Sequence, residues 1–382
     1  MKKVVVALFV AVLALGLAAC GQKKDYEIGL VTDVGTINDK SFNQGAWEGV
    51  EQYAEEHKIS YKYYQPDTKS TEDYVKSIEV AIKNGAKIVV TPGFLFENAI
   101  WLVQDKYPAV KFIILDGAPH NVTDFGAIAP GDETTIDGDT TGKNANFEIG
   151  ANVYSIFYSE EQSGFLAGYA AVKEGFTKLG FMGGMSVPAV VRFGYGFVQG
   201  ANYAASQMTG VTVTIKYEYL NSFAPDAAHQ TKAASWYTSG TEVIFVAAGG
   251  AGNSVMKAAE GIAGKYVIGV DVDQKAESDR VITSAMKELK SSVYNALDEI
   301  YNNRQYNSNN QVITTNGKSV TLDASVGGIG LPQDFSRFSK FTKAMYDVIF
   351  AEVAAGSITI VNDHKLPVTS LVVPKVTLDV TE

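Results

Sequence analysis

The feature that most limits the fold is a strand-then-helix rhythm that runs through the chain once and then begins again. Short apolar runs at 27–32, 59–64, 87–91 and 111–115 read as buried strands. Helical patterns at 42–57, 71–84 and 97–107 separate them. Apolar runs separated by helices of this length predict a parallel sheet with helices on both faces. A second round has strands at 178–182, 213–219, 242–247 and 266–270 and helices at 191–208, 226–238 and 253–262. The expectation is an α/β chain of two doubly wound parallel-sheet lobes with a hinge and a ligand cleft between them.

The two rounds also agree in detail. Each fourth strand ends in an aspartate, Asp116 in FIILDG and Asp271 in VIGVDVD, and each first helix begins beside an aromatic, Phe42 or Phe193. Beyond 281 the pattern loosens. A strand and helix at 281–303 precede an Asn-rich stretch, and Thr315-Asn316-Gly317-Lys318 predicts a β-hairpin turn. Gly327, Gly328 and Gly330 mark a bend or crossover, a last helix is expected over about 336–355, and 119–150 reads as an insertion or long surface loop. The expected lobes are 26–118 plus about 283–325, and 119–282 plus about 326–382.

Ahead of the first strand, Lys2 and Lys3 are followed by an apolar stretch from Val4 to Leu17 and by Leu17-Ala18-Ala19-Cys20. A basic start, an apolar segment too short to span a bilayer and small residues before a thiol predict a lipoprotein signal over 1–19. Lipid is expected on Cys20, with 20–25 as a tether and the chain held extracytoplasmically at a cell membrane. Losing Lys2 and Lys3 takes the formal charge from -10 to -12. That acidity argues against nucleic acid or anionic lipid as a partner, since both are bound through excess Lys and Arg. Cys20 is the only cysteine, so no internal disulfide forms, and the four histidines show no ligand spacing. No metal or cofactor is expected.

Ligands of open parallel sheets bind outside the carboxyl ends of the strands. Those ends are polar and glycine-rich here: Asp33 to Lys40, Pro92-Gly93-Phe94, Asp116-Gly117, Gly183-Gly184, Gly249 to Asn253, and Asp271. Carboxylates there can accept paired hydrogen bonds from hydroxyls or ring N–H groups, and Phe42 and Phe193 can sandwich a flat ring. Each residue also has a plainer reading. Strand-end aspartates often cap helices, Asn38 and Asp39 can shape a turn, the two phenylalanines can serve the core, and Lys287, or the weaker candidate Lys290, can be a solvated lysine. The cluster from Gly249 imitates a dinucleotide fingerprint but has Val255 where its third glycine belongs, and no Gly-x-Ser-x-Gly elbow occurs.

DVGTINDKSFNQGAWEG at 33–49, RFGYGFVQG at 192–200 and GVDVDQ followed by ITSAMK at 269–287 resemble the basic membrane protein family, substrate-binding lipoproteins of nucleoside ABC importers. The resemblance spans nearly the whole chain after the leader. It implies a type I periplasmic-binding-protein fold, lobes joined by three crossovers, and a monomer that passes a nucleoside to a permease and its ATPase. Matched position by position, Phe42 and Phe193 stack on the base, with Asn43 beside them, and Asp116 reads the base edge. Asp271, with Gly249 and Lys287, holds the ribose, and Asp33 and Asn38 open the cleft. Thr36 and Asn38 stand where many relatives carry a glycine and an acid. An ionised Asp116 accepts from guanine or hypoxanthine N1–H, which adenine lacks, so inosine and guanosine are expected above adenosine. A monosaccharide receptor, a surface nucleoside hydrolase and a ligand sensor are the alternatives.

Overall fold

A computed structural model describes residues 25–33, 35–121, 147–302 and 317–381. The apolar runs of the first round become β1 (Ile28–Val31), β2 (Tyr61–Tyr64), β3 (Ile88–Pro92) and β4 (Lys111–Leu115), to which β5 (Val153–Tyr158) and β11 (Lys318–Leu322) are added. All pair in parallel, in the order β11-β5-β4-β3-β1-β2. The helices are α1 (Phe42–His57), α2 (Thr71–Lys83) and α3 (Glu97–Gln104). Ser70 starts α2 by accepting from the Asp73 amide at 3.1 Å, which satisfies one of the helix's free N–H groups.

The second round gives β6 (Lys178–Gly183), β7 (Val213–Tyr219), β8 (Val243–Ala247), β9 (Tyr266–Asp271) and β10 (Val281–Lys287). This sheet runs β12-β10-β9-β8-β6-β7-β13, where β12 (Ile329–Gly330) is antiparallel to β10 and β13 (Val376–Thr381) is parallel to β7. Its helices include α5 (Pro188–Ser206), α6 (Ala227–Thr238) and α7 (Gly252–Glu260). The order β2-β1-β3-β4-β5 is repeated as β7-β6-β8-β9-β10, so the duplication read from the sequence is real at the level of sheet topology.

The chain crosses between lobes at each fifth strand. After β5 it enters α4 (Glu160–Glu174), which packs on α5, and after β10 it enters α8 (Leu289–Asn302), which packs on α1. The third crossing runs from β11 to β12, ahead of α9 (Lys343–Ala354). The expected lobe limits therefore shift. A boundary at 118 falls too early because β5 pairs with β4, and one at 283 falls inside β10, a strand of the second sheet. Helices α4 and α5 lie backbone to backbone. A β-carbon at Gly196 or Gly200 would run into the carbonyl oxygen of Glu161 or Phe165.

Three further expectations change. The last helix begins at Lys343, not 336, because the Glu174 carboxylate holds the amides of Ser339, Lys340 and Phe341 at 2.8 Å each, and Thr342 then caps the helix. Helix α5 starts at Pro188, so Phe193 stands in its second turn rather than at its start. At the expected hairpin, Gly317 has a positive φ of 68°, but the strand after it pairs in parallel with β5; residues 303–316 lie outside the described part. So do the leader with Cys20 and residues 122–146 of the expected insertion. Among the described residues no helix is long and apolar enough to cross a membrane.

Candidate functional site

Both sheets reverse their strand order at a switch, between β1 and β3 and between β6 and β8, which is where an open parallel sheet leaves a crevice. The two crevices face each other across a cavity of about 530 Å³. Asp33, Asn38, Phe42, Asn43, Asp116, Phe193, Gly249, Asp271 and Lys287 all line it, so the sequence candidates meet in one place although they span more than 250 positions.

Asp116 and Asp271 follow or end equivalent strands, and both sit in the left-handed region, with φ of 54° and 67°. Non-glycine residues are uncommon there, though Asp is among the better tolerated. The same strained position in both lobes points to function rather than accident. Asp116 bonds the Lys287 ammonium through Oδ2, while its buried Oδ1 has no hydrogen-bond partner among the described residues. Burial raises the Asp116 pKa to about 7, against the pull of Lys287. Asp271 accepts from Ser41 Oγ at 2.5 Å, a bond between the lobes, and burial raises its pKa too.

Lys287 ends β10 at the second crossing. Its ammonium pairs with Asp116 and lies 3.0 Å from Glu160 Oε1, within 5.0 Å of the Phe42 ring centre and 5.3 Å of those of Tyr158 and Phe193. Burial acts to discharge it, but Asp116, Glu160 and Asp271 outweigh burial and hold its pKa above the ordinary lysine value. Lys287, which the family resemblance groups with Asp271 and Gly249 at the ribose, is bonded here to Asp116. Glu160 also accepts from Arg192 Nε at 2.6 Å.

At the other end, Asp39 takes the plainer role: its carboxylate accepts from the amides of Ser41, Asn43 and Gln44 and so caps α1. Asn43 Nδ2 donates to Asp39 and to Asp33 Oδ1, at 2.9 Å each, which ties the cap to the cleft. Burial lifts Asp33 to a pKa of about 6, although the Gly35 amide donates to it at 2.7 Å. Asn38 is exposed at the rim. Phe42 is partly buried on the cleft wall, whereas Phe193 is 2% exposed and packs edge-on against Phe245 at 5.9 Å, so it serves both cleft and core.

Sequence reasoning did not reach Glu160, Arg192, Tyr158, Ser41, Lys69 or Phe223. Phe223, in the loop between β7 and α6, packs on Gly184 and Gly249 at the cavity. Lys69 reaches Met185 Sδ at 3.5 Å across the cleft mouth, and Gln274 donates to the Lys40 carbonyl at 2.7 Å, again between lobes. Arg192 had one signal, a charge inside the apolar VVRFGYGF. Ionisable lining groups are Asp33, Asp39, Asp116 and Asp271 against Lys69 and Lys287, an excess of acid that disfavours anions and suits a neutral ligand rich in donors.

Residues 27–355 match the sequence profile of the family described as ABC transporter substrate-binding protein PnrA-like. The ABC transporter nucleoside-binding protein BmpA of Lactococcus lactis is 28% identical to this chain, over 88% of it and 90% of that protein. Basic membrane protein B of Borreliella burgdorferi is 31% identical over 81% of each chain. An ABC transporter solute-binding protein of Aeropyrum pernix superimposes with a TM-score of 0.68 at 21% identity, covering 89% of this chain and 95% of that one. One from Conexibacter woesei gives 0.64 at 19%, covering 88% and 99%. At those identities the common feature is the fold, which is the type I periplasmic-binding-protein arrangement expected from the sequence.

Proposed function

The chain belongs to the PnrA-like family of ABC transporter substrate-binding proteins, and on that premise we propose that it captures purine nucleosides, inosine and guanosine above adenosine. The observation that carries this reading is the pairing of two strand-end aspartates, one from each lobe, with two phenylalanine rings around a single cavity. Phe42 and Phe193 stack on the base, a contact of roughly 1–3 kcal/mol per ring, out of the roughly 8 kcal/mol that micromolar binding requires. Asp116 accepts from the N1–H of hypoxanthine or guanine and from the guanine N2–H, and Asp271 accepts from ribose hydroxyls. The acidic lining rejects the phosphate of a nucleotide. Nothing in this scheme breaks a bond in the ligand: the lobes close, water leaves, and the closed form is presented to a permease outside the cytoplasm.

Lipid on Cys20 completes the reading by tethering a monomeric binding module beside its transporter, and a Cys20→Ser chain should appear in the soluble fraction without bound lipid. Calorimetry with the four common nucleosides, ribose and galactose tests ligand class. Binding of inosine and guanosine with weak or no heat from the sugars is expected, and no heat from any purine nucleoside would reject the proposal. Free hypoxanthine appearing from inosine would show an enzyme instead.

A further inference from the structure

Five ionisable side chains form a buried chain at the hinge. Glu160, Lys287, Arg192 and Glu161 are 0, 3, 5 and 6% exposed, and Asp116 adjoins them. Glu160 stands just past the first crossing and Lys287 at the second, so their 3.0 Å ion pair links two of the three connections between the lobes. Arg192, one residue before the cleft ring Phe193, fixes the other oxygen of Glu160. Buried ion pairs seldom add net stability, because the desolvation of both charges offsets their attraction. A packed apolar cluster would serve a purely structural hinge as well.

Among the described residues Asp116 is the acidic group of the other lobe that Lys287 bonds, and Asp116 is the group the functional reading assigns to the ligand. When a base edge takes the Asp116 oxygens, Lys287 loses a partner in a site closed to water. We propose that Glu160, oriented by Arg192, is a positioning residue that holds the Lys287 ammonium beside the rings of Phe42 and Phe193 as its standing counter-ion, freeing Asp116 to exchange Lys287 for the ligand. This rests on the proposed nucleoside function, but the placement of Lys287 does not require a ligand. The charged and titratable groups facing the pair are Asp116 from β4, Tyr158 from β5, Glu161 from α4 itself, Arg192 from α5, Asp271 from β9, and Glu288 just after β10.

Two measurements on Glu160→Gln test it. In the ligand-free chain, acetic anhydride labelling read by mass spectrometry should modify Lys287 at least tenfold faster than in the wild type, because the ammonium has lost one of its two carboxylates. In calorimetry, guanosine affinity should fall about tenfold at pH 7.5. The pH midpoint of the remaining binding should also move below the wild-type value, since Glu160 holds the Asp116 pKa up. Arg192→Lys keeps the charge and loses the fixed guanidinium plane. It should show the faster labelling and the weaker guanosine binding at smaller size in a chain that still melts cooperatively, which covers a Glu160→Gln chain that fails to fold. Wild-type Lys287 labelling in either folded variant overturns the inference, as does an unshifted pH midpoint in a folded Glu160→Gln chain. A wild type that binds no nucleoside overturns the functional reading instead, and the labelling result then decides this one.

Discussion

Replacing Asp116 by Asn isolates the group assigned to base recognition. Asn tolerates the left-handed backbone that Asp116 occupies at φ 54°, and Lys287 keeps Glu160 as a partner, so the fold should survive. The amide still accepts one hydrogen bond, but the charge is gone. A hydrogen bond to a charged group is worth about 1.5–3 kcal/mol, and about 1.4 kcal/mol is a factor of ten, so guanosine should bind roughly ten- to a hundredfold more weakly. Adenosine, with no N1 proton and an amino group at C6, should hold or gain, because the amide can donate to N1. The pH dependence has a definite sign. Asp116 has a pKa raised to about 7, so in the wild type the fraction able to accept from N1–H falls below that pH. Guanosine affinity should drop by up to about tenfold per unit there. In Asp116→Asn the fall centred near pH 7 should be lost. Calorimetry with guanosine and adenosine at pH 5.5, 6.5 and 7.5 measures all of this. Unchanged guanosine affinity in the variant, or a flat wild-type profile, would refute the reasoning.

The two stacking rings should separate by stability. Phe42→Ala should weaken binding about tenfold through lost stacking with little change in unfolding, whereas Phe193→Ala should also lose about 3–5 kcal/mol of stability, read by chemical denaturation. Gly200→Ala forces a methyl against the Phe165 carbonyl at the α4–α5 contact, and overpacking of this kind costs about 1–3 kcal/mol or more; an unchanged denaturation midpoint would show that the helices can part freely. The ligand-free protein should lose thermal stability as pH rises from about 5 to 8. Asp33, Asp116 and Glu161 have folded pKa values raised to about 6, 7 and 7. The folded chain therefore holds protons that the unfolded chain has released, and that advantage is lost as pH passes through those values.

Where local patterns carried the fold, they did so for a physical reason. β1, β3 and β8 are short, wholly buried apolar runs closed by glycine or polar turns, and the strand ends announced Asp116 and Asp271 because a sheet's ligand-facing edge must turn polar at once. The segment that went unread is β5 with α4, VYSIFY and EEQSGFLAGYAAVKE. It is buried on every side, so α4 has no polar face and no helical period to detect. Its opening Glu160 stands in the first turn, where an acid is ordinary in any helix. Only the close approach of α5, set by glycines on both helices, brings Arg192 to it. The Lys287–Asp116 pair was equally hidden, because its partners are 171 positions apart and meet only when the chain crosses twice. β13 alternates half-buried and exposed residues as an edge strand should, yet follows a long irregular stretch that gave no sign of returning to β7.

The central claim is that one purine nucleoside occupies the cleft between the lobes. Native mass spectrometry of the protein mixed with equal amounts of inosine, cytidine and ribose tests it in a single sample. The account predicts one adduct per chain at the mass of inosine, lost in a Phe42→Ala, Asp116→Asn double variant that remains folded. A ribose adduct, an inosine adduct that survives in the double variant, or no adduct at all would contradict it.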